Sequence, residues 1–176
     1  MEKRPDPEIE AQLRHGAGRD WIEEAAEDEK LTELMRRRRL DLSGRALEMV
    51  HRGERARAET QGQTFSGQVV YAGSDFATLD RGDDLVEVVL DAAIWAVEAA
   101  TAGGREQSGS PLSLRARLSE IASSGTQIRL VVADGRAIVG SVELVATDHV
   151  EISQDGNVVL IPIRLIAAVI RPNDRF

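Results

Sequence analysis

The chain has 176 residues, 30 of them acidic against 22 basic, for a formal charge of −8 and a pI near 5.0. That sign is wrong for a protein that coats nucleic acid indiscriminately, because such affinity comes from neutralising phosphates. The absence of cysteine excludes disulfides, thiolate metal sites and thiol catalysis, and no apolar run has the length of a membrane span or a signal peptide, so a cytoplasmic address is expected.

Residues 1–19 carry two prolines, two glycines and many charges without apolar periodicity, the composition of an unstructured tail. A helix is predicted over about 20–38, opened by Asp20 with Glu23 three residues on, and striped by Ile22, Ala25, Ala26, Leu31, Leu34 and Met35. Its acidic start and its Arg36–Arg39 end suit the helix dipole. A second helix spans about 42–53 on Leu42, Ala46, Leu47, Met49 and Val50, with Gly53 closing it.

Five strands follow: Arg55–Thr60, Gln63–Ala72, Asp75–Leu79, Leu85–Leu90 and Ile94–Val97. A Gly- and Ser-rich linker near 102–111 leads to a third helix, opened by Pro111 and Ser113 and ended by Gly125. Five more strands are predicted at Gln127–Ala133, Arg136–Ala146, His149–Ser153, Asn157–Ile163 and Ala167–Ile170. Asp134-Gly135 and Asp155-Gly156 are the strongest hairpin signals.

The two strand sets repeat. Gly62, Gly67, Val69, Asp75 and Leu79 match Gly135, Gly140, Val142, Asp148 and Ile152 at an offset of 73, and a one-residue deletion in the following turn then aligns Val86 with Val158 and Leu90 with Pro162. Each unit is too small to bury a generous core alone, so packing on the other unit, on the N-terminal helices or on another chain is expected.

A helix and five short strands, with Gly140, Val142, Asp148, Ile152, Gly156, Val158, Ile161, Pro162, Ile166 and Val169 at matching places, resembles the Sm-like small β-barrel, nearest in style to the C-terminal domain of bacterial ribosome-maturation factors. The resemblance implies a mainly β protein with α: two tandem five-stranded barrels, each preceded by a helix. The boundaries are 1–41 for the tail and N-terminal helix, 42–100 for the first barrel, 101–110 for the linker and 111–173 for the second. It also implies RNA binding or edge-to-edge assembly. However, Leu79 and Ile152 stand where the family's base-contacting Asn belongs, and Arg164 is the one basic residue near that site, with Ala92 its counterpart in the first copy.

The candidate residues fall into two groups. Arg36, Arg37, Arg38, Arg39, Arg45, Arg52, Arg55, Arg57 and Arg164 are the candidates for RNA phosphate, with Arg38, Arg45 and Arg52 recurring every seven residues. Asp41 and Glu48 stand at ion-pair spacing from them, which favours a solvated face. Trp95, Tyr71 and Phe65 are the candidates for an interface; Phe65 and Tyr71 stand an even number of residues apart, which assigns them to one strand face. His15, His51 and His149 have no ligand-spaced partner, Asp75 and Asp148 read as turn residues, and no nucleophile, zinc or phosphate-loop motif is present, so no metal, no cofactor and no catalysis are expected. The reading is a non-enzymatic binding or assembly protein acting through a protein partner or self-association, with RNA as the alternative partner.

Overall fold

A computed structural model describes residues 26–98 and 103–173. The chain divides into two compact units, residues 1–40 and 41–176. In the first unit, helix α1 is described over residues 26–38, and Leu31, Leu34 and Met35 are exposed on it. The predicted cap at Asp20 and the aromatic residue Trp21 lie outside the described residues.

The second unit begins at Asp41, whose side chain accepts a hydrogen bond from the Gly44 N–H at 2.7 Å and so caps helix α2 (Leu42–Arg52). Gly53 ends α2 in the left-handed region at φ 65°, returning its N–H to the last carbonyls. Ala46, Met49 and Val50 form the buried stripe of α2. In the same way Ser113 caps α3 (Leu114–Ser124), Gly125 closes it, and Leu114, Leu118 and Ile121 face inward at i, i+4 and i+7.

The ten strands lie within a residue or two of their expected places: β1 Arg55–Thr60, β2 Gln63–Ala72, β3 Phe76–Asp80, β4 Asp84–Val89, β5 Ile94–Glu98, β6 Gln127–Val132, β7 Ala137–Val145, β8 His149–Gln154, β9 Asn157–Pro162 and β10 Ile166–Pro172. Their arrangement overturns the two-barrel expectation. All ten form one open antiparallel sheet in the order β5-β1-β2-β3-β4-β10-β6-β7-β8-β9. The fourth strand of the expected first barrel, β4, pairs with β10 of the second half, from Ala168 opposite Val88 to Pro172 opposite Asp84. The residues behind the Sm-like resemblance specify bends, turns and alternating apolar positions, which this open sheet needs as much as a barrel does, so they do not distinguish the two.

The matching of the halves also needs correcting. Phe76 pairs with Val89 and His149 with Pro162, so the offset stays at 73 through both hairpins and no deletion falls in the turn. Val86 therefore corresponds to Val159 and Val88 to Ile161, while exposed Val158 and Leu160 correspond to buried Leu85 and Glu87. The counterpart of Arg164 becomes Asp91 rather than Ala92.

Register shifts between Val69 and Tyr71 and between Val142 and Leu144 bend β2 and β7. The first shift breaks the even alternation: Phe65 enters one core with Val69, Ala72, Val86 and Val88, whereas Tyr71 packs against the other, with Phe76, Leu114, Leu130 and Val169. The expectation that Phe65 and Tyr71 share a face therefore fails. Residues 103–112 are not a free tether either, since Gln107 makes two hydrogen bonds to the Ala72 backbone, at 2.7 and 2.8 Å, and Arg105 donates to the Val70 carbonyl.

At Gly67 and Gly140 an added Cβ would lie 2.6 Å from the Asp80 carbonyl and 2.1 Å from the Ser153 carbonyl, so both crossings require glycine. Replacing Gly140 by alanine is expected to destabilise the protein by about 1–3 kcal/mol through overpacking. Urea unfolding checks this, with Gly103→Ala, whose Cβ meets nothing within 4 Å, as the neutral control.

Candidate functional site

The joint between the halves is more than a strand ladder. The Asp75 carboxylate accepts from the Leu114 N–H at 2.7 Å, and the Tyr71 hydroxyl accepts from the Leu112 N–H at 2.9 Å. The Arg117 guanidinium of α3 lies 4.8 Å from the centroid of Tyr71, which stacks on Phe76. Asn173 donates to the Gly82 carbonyl and to Asp80, clamping the β3–β4 turn to the end of β10.

At its centre is Glu87, fully buried on β4. It receives a hydrogen bond from Arg171 of β10 at 2.9 Å, with Arg117 3.9 Å away. Burial pushes its carboxyl above the ordinary value, against the opposing pull of Arg171 and Arg117. Its second oxygen has no hydrogen-bond partner among the described residues.

Outside the joint the sheet has two edges unpaired among the described residues, β5 and β9. Both expose apolar side chains: Ile94 is 76% exposed and Val97 45% on β5, and Val158 is 55% and Leu160 61% on β9. Exposed apolar edges ordinarily carry charges or bulges that discourage pairing, and here only Pro162 and Glu98, at the strand ends, serve that purpose. Beside β9 runs a largely apolar groove of about 490 Å³, lined by Val132, Ile138, Val159, Ile161, Pro162 and Leu165, with Gln61, Asp134 and Arg136 also on its wall.

The arginine candidates are not gathered on one surface. Arg36 and Arg37 both reach Glu33 at 2.9 Å. Arg45 bridges Glu48 and Glu54, at 3.3 and 2.8 Å. Arg52 is 3.9 Å from Glu54 and Arg55 3.7 Å from Glu98. The seven-residue stripe through Arg38, Arg45 and Arg52 is broken, because the chain leaves α1 before Asp41 caps α2, and Asp41 serves as that cap instead of an ion-pair partner. Arg38, Arg39 and Arg57 are exposed, and Arg164 lines a cleft with Asp75 and Asp91.

Of the interface candidates, Phe65 is only 3% exposed and is core. Tyr71 is spent on the joint. Trp95 lies half-buried on β5 with its ring N–H donated to the Leu90 carbonyl at 3.0 Å. What the sequence reading missed is Glu87, an acid in a run of valines, and the exposed Ile94, Leu144, Val158 and Leu160. An alternation reading places these apolar residues inside barrels, because only the pairing of the strands reveals which edge is left open.

No protein-family model and no characterised protein matches this sequence. Among the described residues no group of His, Asp and Glu is arranged to hold a metal ion, and no helix is long and apolar enough to cross a membrane.

Arg171→Met, which leaves Glu87 buried without its nearest cation, is expected to cost about 3–5 kcal/mol at neutral pH. Because the folded carboxyl titrates above its unfolded value, its contribution favours the folded state at low pH and is lost as pH rises through the folded titration. The loss in the Arg171→Met variant should therefore shrink as pH falls through the Glu87 titration, which denaturant unfolding across pH measures.

Proposed function

We propose that this is a non-enzymatic assembly protein whose copies join edge to edge, β9 of one against β5 of the next. The observation that carries this reading is the internal joint itself. In sequence and in pairing order β9 occupies in the second half the place that β4 has in the first, and β5 the place that β10 has. A β9–β5 contact between copies repeats a contact that the chain already makes within itself.

The surfaces support the match at Ala168 and its counterpart Ile94, while Glu59 stands where Val131 does. In the first half Val131 and Ala168, contributed by the second half, are fully buried against Phe65, Val86 and Val88. The corresponding side chains Ile138, Val159 and Ile161 line the groove beside β9. The counterpart of Ala168 is Ile94, which holds on β5, opposite Glu59, the position that Ala168 holds on β10 opposite Val131. An exposed isoleucine on one edge and an apolar groove on the other are donor and acceptor of one contact.

Other exposed apolar residues fall at the same joint. Leu42 corresponds to Leu114, which is buried in the second core, and Leu144 to Tyr71. Leu42 and Leu144 are each 50% exposed. Covering such groups between chains supplies roughly 25 cal/mol for each Å² of apolar surface removed from water. An RNA reading has less to support it, because Arg36, Arg37, Arg45, Arg52 and Arg55 each have a carboxylate within 4 Å.

The test is sedimentation velocity over a range of protein concentrations at low and high salt. The expected result is concentration-dependent association that persists at high salt and is abolished by Leu160→Lys, with the fold retained by circular dichroism. A monomer at all concentrations would count against this reading, and copurifying RNA released by salt would move the assignment to the arginines.

A further inference from the structure

The two kinds of joint differ in one respect that decides which edge pairs with which. At the internal joint the β4 edge presents Glu87, and β10 answers with Arg171. The corresponding position on β9 is Leu160. On β5 the residue matching Arg171 is Val97: Ile170 faces Arg129 on β6 as Ala96 faces Arg57 on β1, and Arg171 and Val97 each come next. The internal joint is thus marked by a buried charge pair, and the edges left open carry an apolar pair at the same two places. Resting on the edge-assembly reading above, we propose that Glu87 and Arg171 against Leu160 and Val97 form a pairing code that reserves β4 for β10 and directs incoming copies to β9.

The physical argument lies in the two wrong combinations. If β5 of another copy displaced β10 from β4, Glu87 would be buried opposite Trp95 and diagonal to Val97 with its nearest cation gone. If β10 of another copy docked on β9, the Arg171 guanidinium would be buried against Leu160. Each mispairing strands a charge away from water, which costs far more than the correct ion pair gains, so the charges act mainly by rejecting the wrong partner. At these two positions both correct combinations leave no such group. The main-chain ladder is the same in all four, so it supplies affinity without choice, and the discrimination falls to these side chains. Glu87 is fully buried and Arg171 largely so, with a side chain 20% exposed, which places the pair where solvent screens it least.

The code is tested by transplanting it. Leu160→Glu and Val97→Arg are made in separate chains; both sites are exposed, so each variant is expected to fold. Alone, each should self-associate about 100-fold more weakly than the wild type, because every joint buries one unpaired charge. Mixed in equal amounts, the two should associate to within about tenfold of the wild type, since one joint then carries the charge pair and the next the original apolar pair. Wild-type association with no recovery on mixing would overturn the code and leave the edge-assembly reading standing. A monomeric wild type would remove that reading and the code with it. Association of either single variant as tight as the wild type would likewise overturn the code. Should either variant fail to fold, Leu160→Asp with Val97→Lys repeats the test.

Discussion

Everything in residues 41–176 depends on how the β4 edge is satisfied. A strand edge is a row of unpaired N–H and C=O groups, and burying one without partners costs several hydrogen bonds at once. Here β10 supplies those partners, and α3, which packs on β7, brings its N-terminal turn to the same joint. Its Leu114 is held by Asp75 and its Arg117 by the Tyr71 ring, with Glu87 close by. The cores are shared across this line: Phe76 of the first half packs into the second, and Val131 and Ala168 of the second half into the first. Neither half has a complete core alone, in keeping with the small size of each.

The local structure was legible because local rules govern it. The caps at Asp41 and Ser113 and the glycines closing α2 and α3 are stated in the chain, as are the alternation of β6 and the Asp-Gly hairpins. What local rules do not encode is which strand edge meets which. A buried edge and an open one share the same pattern, and β4 and β9 differ most tellingly in Glu87 against Leu160. An acid in a strand reads as solvent-facing, and a leucine as core; in this sheet the acid is buried and the leucine exposed. The two-barrel expectation came from the Sm-like resemblance, whose matching positions specify bends and apolar alternation and not which edge is covered. The bulge that separates Phe65 from Tyr71 is equally silent in the sequence, since the register shift appears only once β2 is set against β3.

The candidate site was less visible than the fold for a related reason. Arginine runs draw attention, yet five of those arginines stand beside carboxylates. The informative groups are ordinary aliphatic residues whose meaning comes from position. Val158, Leu160, Ile94 and Val97 acquire a role only because the same places at the internal joint are occupied by partners. In this account a duplicated unit that joins its halves edge to edge carries the template for its own assembly. The side chains at the joint then separate the contact within a chain from the contact between chains.

The most direct test uses the absence of cysteine in the chain. Arg171 stands opposite Leu85 in the internal ladder, and the corresponding residues at a joint between copies are Val97 and Val158. Directly opposed residues in an antiparallel pair have Cα atoms about 4.5–5.5 Å apart, within reach of a disulfide. A chain carrying V97C mixed with one carrying V158C under mild oxidation should give a mixed covalent dimer in high yield, with little product from either chain alone. V158C cross-linking only to itself, or no mixed dimer at concentrations where the protein associates, would contradict the account.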